Sequence, residues 1–233
     1  MSVEFESFVL AASTDNLRRT DRARDYADAI EYRIDLAEEG LGPVERHTGL
    51  PVIVTNRLES EGGATPAGSE RLSTLAAAAA EPAVAAVDVE LATVREGGAE
   101  AVLETARNND TAVIVSTHDF EGTPPRNRLR SLLAAASERG DVAKLATYAD
   151  GPDAVLDLLA ATRAATAAGH RVATVAMGEA GRHSRAVAPL YGSRIGYAPL
   201  VEAEATAPGQ YDLETLRELI AALGGPDGPE PQR

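Results

Sequence analysis

Asp141-Val142-Ala143-Lys144-Leu145-Ala146-Thr147 is a short apolar run with a lysine at its centre. The chain has 22 lysine and arginine residues, and Lys144 is the only lysine among them. The run has the length and composition of a buried strand. Arginine can replace a lysine that only supplies surface charge, but it stays protonated and cannot act as an amine nucleophile. We therefore interpret Lys144 as a candidate Schiff-base lysine. The competing interpretation is a lysine at a strand end with its ammonium in water.

Similar apolar runs recur along the chain, with helix-compatible stretches between them. The predicted strands are Phe8–Ala12, Ala29–Asp35, Pro51–Asn56, Val84–Glu90, Ala112–Thr117, Val142–Thr147, Arg171–Ala176 and Ile195–Leu200. The predicted helices include Asp15–Asp28, Ser69–Ala80, Arg126–Ser137, Pro152–Ala168 and Asp212–Leu223. Eight alternating units in a chain of 233 residues favour an α/β fold, a single (β/α)8 TIM barrel. An open doubly wound sheet is the alternative, but no Gly-rich phosphate-binding sequence follows the first strand.

The chain's length fits one large domain or two small ones, and the eight β/α units favour a single domain followed by a short tail. We expect residues 1–223 to form the barrel domain that carries the catalytic residues. Residues 224–233 are rich in Gly, Pro and charge, and we expect them to be a flexible C-terminal tail.

Composition limits the possible partners and the cellular location. The formal net charge of -14 and the pI near 4.7 argue against a nucleic acid or an anionic membrane as partner. Acidity with almost no lysine is typical of a high-salt cytoplasm, although an ordinary acidic surface is the alternative. No apolar run reaches the ~18 residues of a membrane span, and no secretory signal is recognisable. We expect a soluble, cytoplasmic protein.

The same composition limits the metal and disulfide chemistry. There is no cysteine, which excludes disulfides and thiolate metal sites. The four histidines have no spacing typical of a metal site; they are His47, His118, His170 and His183. We therefore expect no metal.

Two predicted strands carry charges at alternating positions, which is unusual for a parallel sheet buried on both faces. In Ala29–Asp35 the period of two places Ile30, Tyr32 and Ile34 on one face and Glu31, Arg33 and Asp35 on the other. In Val84–Glu90 it separates Asp88 and Glu90 from the valines. If the apolar side chains pack against helices, these charges point into the barrel and need partners or a ligand. An antiparallel strand with one solvated face is the alternative.

Further polar residues follow the ends of predicted strands. Arg57, Glu61 and His118-Asp119 occupy such positions, and Arg185 follows the seventh strand. Barrel enzymes place their catalytic groups at the carboxyl ends of the strands. Each of these residues alone would more often be solvated or structural. The convergence of five residues on one rim predicts a polar site there; they are Glu31, Arg33, Arg57, His118 and Lys144.

Five groups of residues, in order along nearly the whole chain, resemble the type I 3-dehydroquinate dehydratase family of the shikimate pathway to aromatic amino acids. They are Glu31-Tyr32-Arg33-Ile34-Asp35; Thr55-Asn56-Arg57 with Glu61-Gly62-Gly63; Ser116-Thr117-His118-Asp119-Phe120 with Thr123-Pro124; Lys144; and Ser184-Arg185 with Ala207-Pro208-Gly209-Gln210. The resemblance implies a (β/α)8 enzyme, usually a homodimer, that dehydrates 3-dehydroquinate to 3-dehydroshikimate without metal or organic cofactor.

The resemblance also implies a role for each matching residue. Lys144 matches the Schiff-base lysine, His118 the general acid/base and Glu61 the acid that supports this histidine. The residues that match substrate-binding positions are Glu31, Arg33, Arg57, Arg185, Thr206 and Gln210. Thr206 stands where the family often has serine, and the resemblance leaves an early serine contact near Ser13 unassigned.

Two other functions are compatible with a lysine in a barrel. A class I aldolase uses the same Schiff base to cleave a carbon–carbon bond, but no phosphate-binding Gly-rich turn follows the last two strands. A sensor that binds a polyol acid without turnover is the second alternative, although binding alone requires neither Lys144 nor His118.

Overall fold

Eight parallel strands, joined by helices, form the frame of the protein in a computed structural model. The structure describes residue 3, residues 5–200 and residues 209–224. The strands are β1 (Val9–Thr14), β2 (Ala29–Arg33), β3 (Val52–Thr55), β4 (Val84–Glu90), β5 (Ala112–Asp119), β6 (Val142–Tyr148), β7 (Val172–Met177) and β8 (Ile195–Pro199). The α-helices are α1 (Gly42–Glu45), α2 (Ser69–Ala79), α3 (Leu91–Arg95), α4 (Glu100–Asn108), α5 (Arg126–Ser137), α6 (Pro152–Ala167), α7 (Ser184–Val187) and α8 (Leu213–Ala222). Within the described residues, three 3₁₀ helices span Leu17–Asp25, Glu59–Glu61 and Ala188–Tyr191.

The strands pair in the order β7-β6-β5-β4-β3-β2-β1-β8, and every pair is parallel. The remaining gap, between β7 and β8, is bridged where Arg194 N donates to Val172 O at 2.7 Å. This nearly closed barrel confirms the predicted (β/α)8 fold, and the doubly wound and antiparallel alternatives are wrong. A closed parallel barrel brings the carboxyl ends of all eight strands to one rim.

The predicted elements agree with the structure apart from their ends and one segment. Val84–Glu90 and Arg126–Ser137 have the predicted bounds, whereas β5 runs on to include His118 and Asp119, which we expected just after the strand. The helix-compatible segment Asp15–Asp28 forms a 3₁₀ helix over Leu17–Asp25 instead of an α-helix. Only two of its residues are buried, so tertiary packing contributes little to stabilising an α-helix there.

Alternation along the strands divides the buried side chains into two layers. The outer layer, between strands and helices, is apolar and includes Ile30, Tyr32 and Ile34, as predicted. The inner layer is apolar only at the amino-terminal end of the barrel, where Val9, Ala29, Ile53, Ile114 and Val142 are among the residues in contact. Two residues further along β2, β3, β5 and β6, the inward positions become polar, so one end of the barrel is a packed core and the other a polar cavity.

Two expectations fall partly or wholly outside the described residues. Of the expected tail, residues 224–233, only Gly224 is described, and Thr206 also lies outside the described ranges.

No helix within the described ranges has both the length and the apolar character that crossing a membrane requires.

Helix α6 offers a matched test of the outer layer. Leu158 is buried (1 % exposed), whereas Leu156 on the same helix is 58 % exposed. Leu158→Ala should lower the free energy of unfolding by about 2–5 kcal/mol because it leaves a cavity. Leu156→Ala should change it by less than about 0.5 kcal/mol. Urea unfolding followed by circular dichroism measures both, and equal losses in the two variants would contradict this packing.

Candidate active site

The polar end of the barrel encloses a pocket that brings distant parts of the sequence together. Its volume is about 570 Å³, including its open mouth. The lining residues are Ser13, Glu31, Arg33, Thr55, Arg57, Glu61, Gly62, His118, Phe120, Lys144, Ala146, Val175, Met177, Arg185, Tyr197 and Gln210. Of the predicted site residues, only Thr206 is missing from this lining, because it lies outside the described residues.

Lys144 lies at the centre of β6, and its side chain points into the pocket. The alternation that places Val142 in the inner apolar layer brings Lys144 to the next inward position. Its ammonium donates to Asp88 Oδ2 at 2.9 Å and lies 3.7 Å from Glu31 Oε1. The residue is only 6 % exposed, so the interpretation of Lys144 as a solvated strand-end lysine is wrong.

A chain of buried ion pairs continues from Lys144 to the outside of the barrel. Asp88 Oδ2 is 2.8 Å from Arg57 Nη2, and Arg57 Nη1 donates to Glu90 Oε1 at 3.0 Å. Glu90 Oε2 is in turn 2.9 Å from Arg71 Nη1 on α2. All five residues are buried, and each charge lies beside an opposite one. The charges alternate in sign along this chain, so each buried ion has a partner of opposite charge. An unpaired buried ion would cost several kcal/mol.

Asp88 is held in its ionised form by this chain. Burial alone would raise the pKa of the Asp88 carboxyl, but the charges of Arg57 and Lys144 outweigh burial and hold this pKa well below its usual value. Ser116 Oγ adds a hydrogen bond to Asp88 Oδ1 at 2.6 Å. A permanently anionic group therefore faces the lysine nitrogen.

Glu31, the second carboxylate near the lysine, is fixed by two hydroxyl groups. Ser13 Oγ donates to Glu31 Oε2 at 2.6 Å, and Thr55 Oγ1 donates to Oε1 at 3.0 Å. The parallel register aligns Ser13 with Glu31 across β1 and β2, so the first of these bonds follows directly from strand pairing. Ser13 thereby contributes to the pocket, a contact that the sequence left unassigned.

His118 and Glu61 form a hydrogen-bonded pair at the rim. Glu61 Oε2 is 2.9 Å from His118 Nδ1 and accepts from the His118 backbone N–H at 3.0 Å. Because that oxygen already acts as an acceptor, we assign the Nδ1 proton to the same hydrogen bond. This tautomer leaves Nε2 as the basic nitrogen of the ring.

Burial shifts the pKa values of His118 and Glu61 in opposite directions. Burial, followed by the charges of Arg57 and Lys144, lowers the pKa of His118 well below its usual value. Burial raises the pKa of Glu61 to about 7, against the attraction of Arg57. The imidazole is consequently neutral near pH 7, and its carboxyl partner titrates there.

The turn that carries Glu61 depends on two glycines. Gly62 has φ +80°, and a Cβ there would lie 2.4 Å from Phe120 Cζ. A Cβ at Gly63 would lie 2.1 Å from the carbonyl oxygen of Arg57. Such contacts are far inside van der Waals distance, so the absence of side chains lets the turn fold back against the end of β3. The close approach places Glu61 beside His118.

Two further arginines line the pocket. Arg33 donates from Nε and Nη2 to Asp35 at 2.9 and 2.6 Å, a bidentate pair that fixes its guanidinium. Arg185 is buried and donates from Nε to the carbonyl oxygen of Gly209 at 2.9 Å, beside Gln210. Burial lowers the pKa of Arg185 to about 10, which still leaves it charged at neutral pH.

Some residues of the site were not recognised from the sequence. Ser13, Tyr197 and Arg71 carry no motif, and only their inward or buried positions reveal them. The position of Ser13 follows from alternation along β1, but the contact of Arg71 with Glu90 depends on how α2 packs. Within the described residues, no group of three or more His, Asp or Glu side chains is arranged to hold a metal ion.

Comparison with known proteins relates the chain to one family. The model of the family described as "Type I 3-dehydroquinase" matches residues 7–227. A curated 3-dehydroquinate dehydratase of Haloarcula marismortui is 51% identical over 225 residues, covering 95% of this chain and 98% of that protein. The enzyme of the same name from Halobacterium salinarum is 46% identical over 226 residues and covers 95% of this chain and 100% of that protein.

The solved structures agree with this relationship. The crystal structure of 3-dehydroquinate dehydratase from Geobacillus kaustophilus superposes with a TM-score of 0.84 at 28% sequence identity. The match covers 94% of this chain and 91% of that one.

The raised pKa of Glu61 predicts a pH-dependent contribution to stability. Between the ordinary carboxyl pKa of 4.5 and about 7, the native state keeps a proton that the unfolded state has released. By linkage, the contribution of Glu61 to the free energy of unfolding falls as the pH rises through this window. The difference in the free energy of unfolding between wild type and Glu61→Gln should therefore change by roughly 1–3 kcal/mol between pH 4.5 and 7.5. Urea unfolding at the two pH values measures it.

Glu59→Gln is the matched control because it removes an exposed carboxylate from the same 3₁₀ turn. If both variants changed the pH dependence alike, the shift would be a general charge effect and not a property of the Glu61–His118 pair.

Proposed function

Since the chain belongs to the type I 3-dehydroquinase family, we propose that it dehydrates 3-dehydroquinate to 3-dehydroshikimate through a Schiff base on Lys144. The observation that carries this proposal is the position of the only lysine. Its amine is buried in the pocket and shares it with a neutral histidine. A buried lysine beside a proton-transfer group is the arrangement that imine chemistry requires.

The surroundings of Lys144 favour an iminium over a neutral adduct. The Lys144 ammonium passes a proton to His118 and attacks the substrate ketone as the neutral amine. His118 then returns this proton to the carbinolamine hydroxyl, which leaves as water and gives a cationic iminium. Asp88, 2.9 Å from the lysine nitrogen, carries a fixed negative charge that balances the cation. The iminium thus replaces one positive charge by another at the same place, and the buried chain of ion pairs needs no reorganisation.

His118 is suited to the proton transfers. The iminium withdraws electrons and acidifies the adjacent carbon, and neutral Nε2 of His118 accepts the proton from that carbon. The imidazolium then returns this proton to the departing hydroxyl group, which leaves as water. Hydrolysis of the product imine consumes one water and restores the amine. Glu61 holds the ring and its tautomer through Nδ1.

The arginines around the pocket fit an anionic polyol. Arg185, with Gln210 beside it, is placed to bind the substrate carboxylate, since a guanidinium pairs well with planar carboxylates. Arg33, Arg57 and Glu31 are assigned to the substrate hydroxyl groups. Thr206, in the segment between β8 and α8, is assigned a loop contact on the basis of the family resemblance.

The biological setting is also part of the proposal. We place the enzyme in the shikimate pathway to aromatic amino acids, as a cytoplasmic homodimer that needs neither metal nor organic cofactor. Residues 1–223 are proposed as the catalytic domain. The two curated relatives named above come from halophilic archaea, and together with the acidic, lysine-poor composition they support function in concentrated salt.

A borohydride trap tests the covalent step directly. The protein is incubated with 3-dehydroquinate in concentrated salt, reduced, digested and analysed by mass spectrometry. We expect a ligand adduct on the peptide that contains Lys144. The chain has no second lysine, so a lysine adduct identifies the site without ambiguity. Absence of an adduct in folded, active protein would contradict the mechanism, and a carbon–carbon cleavage product would instead indicate an aldolase.

Lys144→Ala separates chemistry from binding. The variant should lower turnover by several orders of magnitude, because no other amine can form the iminium. Substrate binding, measured by calorimetry, should persist through the arginines. Lys144→Met keeps more of the buried volume and controls for a packing defect. Wild-type turnover in either variant would rule the mechanism out.

A further inference from the structure

Tyr197 lies directly beside the reacting lysine, and the mechanism above gives it no part. It belongs to β8, and its side chain points into the barrel, where it packs against the inner apolar layer. The residue is 6 % exposed, and it lines the same pocket as Lys144.

The ring of Tyr197 faces the lysine nitrogen. Lys144 Nζ lies 4.2 Å from the ring centroid, within the distance at which an aromatic face attracts a cation. The carboxylate of Asp88 lies 2.9 Å from the same nitrogen. The lysine nitrogen therefore has a carboxylate and an aromatic π face as neighbours, and both favour a positive charge.

The charge on that nitrogen changes during the proposed reaction. It is positive in the resting ammonium and in the iminium, but neutral in the attacking amine and in the carbinolamine. An aromatic face attracts a cation through its quadrupole and has much less effect on a neutral amine. A ring at this position consequently stabilises the iminium relative to the neutral species on either side of it.

We propose that Tyr197 is a cation-stabilising residue whose aromatic face holds the positive charge of the Lys144 iminium. The proposal rests on the Schiff-base mechanism and assigns this side chain a role in it. The resting ammonium gains the same attraction, so the ring should shift the balance between the iminium and the neutral carbinolamine that precedes it.

The hydroxyl group of Tyr197 is not part of this role. It is buried and has no hydrogen-bond partner among the described residues. Burial, together with Glu31 and Asp88, raises the pKa of the phenol well above its usual value, so the group keeps its proton. A buried hydroxyl without a partner destabilises a protein. We therefore expect only the aromatic ring to contribute, so that phenylalanine at position 197 should perform the same role.

Two substitutions separate the ring from the hydroxyl. Tyr197→Phe keeps the π face, whereas Tyr197→Leu removes the π face and keeps an apolar side chain. The readout is the ratio of iminium to carbinolamine adduct on Lys144 during turnover with 3-dehydroquinate, together with kcat. The two adducts differ in mass by one water and are distinguished by mass spectrometry of the rapidly quenched protein. We expect Tyr197→Leu to lower this ratio by about 3- to 30-fold. Tyr197→Phe should remain within about 2-fold of wild type and raise the urea midpoint of unfolding.

A fluorinated series guards against a packing defect in the leucine variant. Phenylalanine analogues with one, two and three ring fluorines are incorporated at position 197. Each fluorine weakens the negative potential of the aromatic face and changes the shape of the side chain little. The adduct ratio should fall stepwise with each fluorine. A flat response would overturn the proposal, as would a leucine variant with the wild-type ratio.

Failure of this inference differs from failure of the mechanism. If wild-type protein gives no adduct at Lys144, the Schiff-base mechanism itself is wrong. If wild-type protein gives the adduct but the ratio of iminium to carbinolamine is insensitive to the ring at position 197, only the role of Tyr197 is wrong.

Discussion

The hydrogen bond between Lys144 and Asp88 is the interaction on which the rest of the pocket depends. It joins a lysine and a carboxylate 56 residues apart and leaves the lysine nitrogen inside the barrel, at the edge of the cavity. Neither ion could be buried alone, because desolvation of an unpaired charge costs several kcal/mol. Arg57, Glu90 and Arg71 extend the pairing outwards to α2, so that the charge of the lysine is balanced by a structure that reaches through the wall of the barrel.

This arrangement also explains how one pocket can hold groups with different protonation. The positive charges of Arg57 and Lys144 act on both His118 and Asp88, and they favour the neutral imidazole and the ionised carboxylate. At Glu61 burial outweighs the attraction of Arg57 and raises the pKa of the carboxyl to about 7. The protonation of these three groups thus depends on the balance between burial and neighbouring charges, and not on residue type alone.

Several residues of the site could be inferred from the sequence, each for a physical reason. Glu31 and Asp88 stand at alternate positions in otherwise apolar strands, and alternation in a parallel barrel leaves them only the interior. Lys144 is recognisable because it is the single lysine of an arginine-rich chain. Tyr197 gave no such signal, since a tyrosine in a strand fits any buried apolar position. Arg71 was missed because it belongs to a helix, where an arginine is normally a solvated charge.

The sequence by itself determined the eight β/α units, the inward-facing charges of β2 and β4 and most members of the polar set, because these follow from local periodicity and residue type. Only the tertiary structure decided which charges pair, that Asp88 contacts the lysine more closely than Glu31 does, and that an aromatic face lies beside the amine. Those facts depend on the register and closure of strands far apart in the chain. Register and closure are set by the packing of the whole barrel, and no local stretch of sequence encodes them.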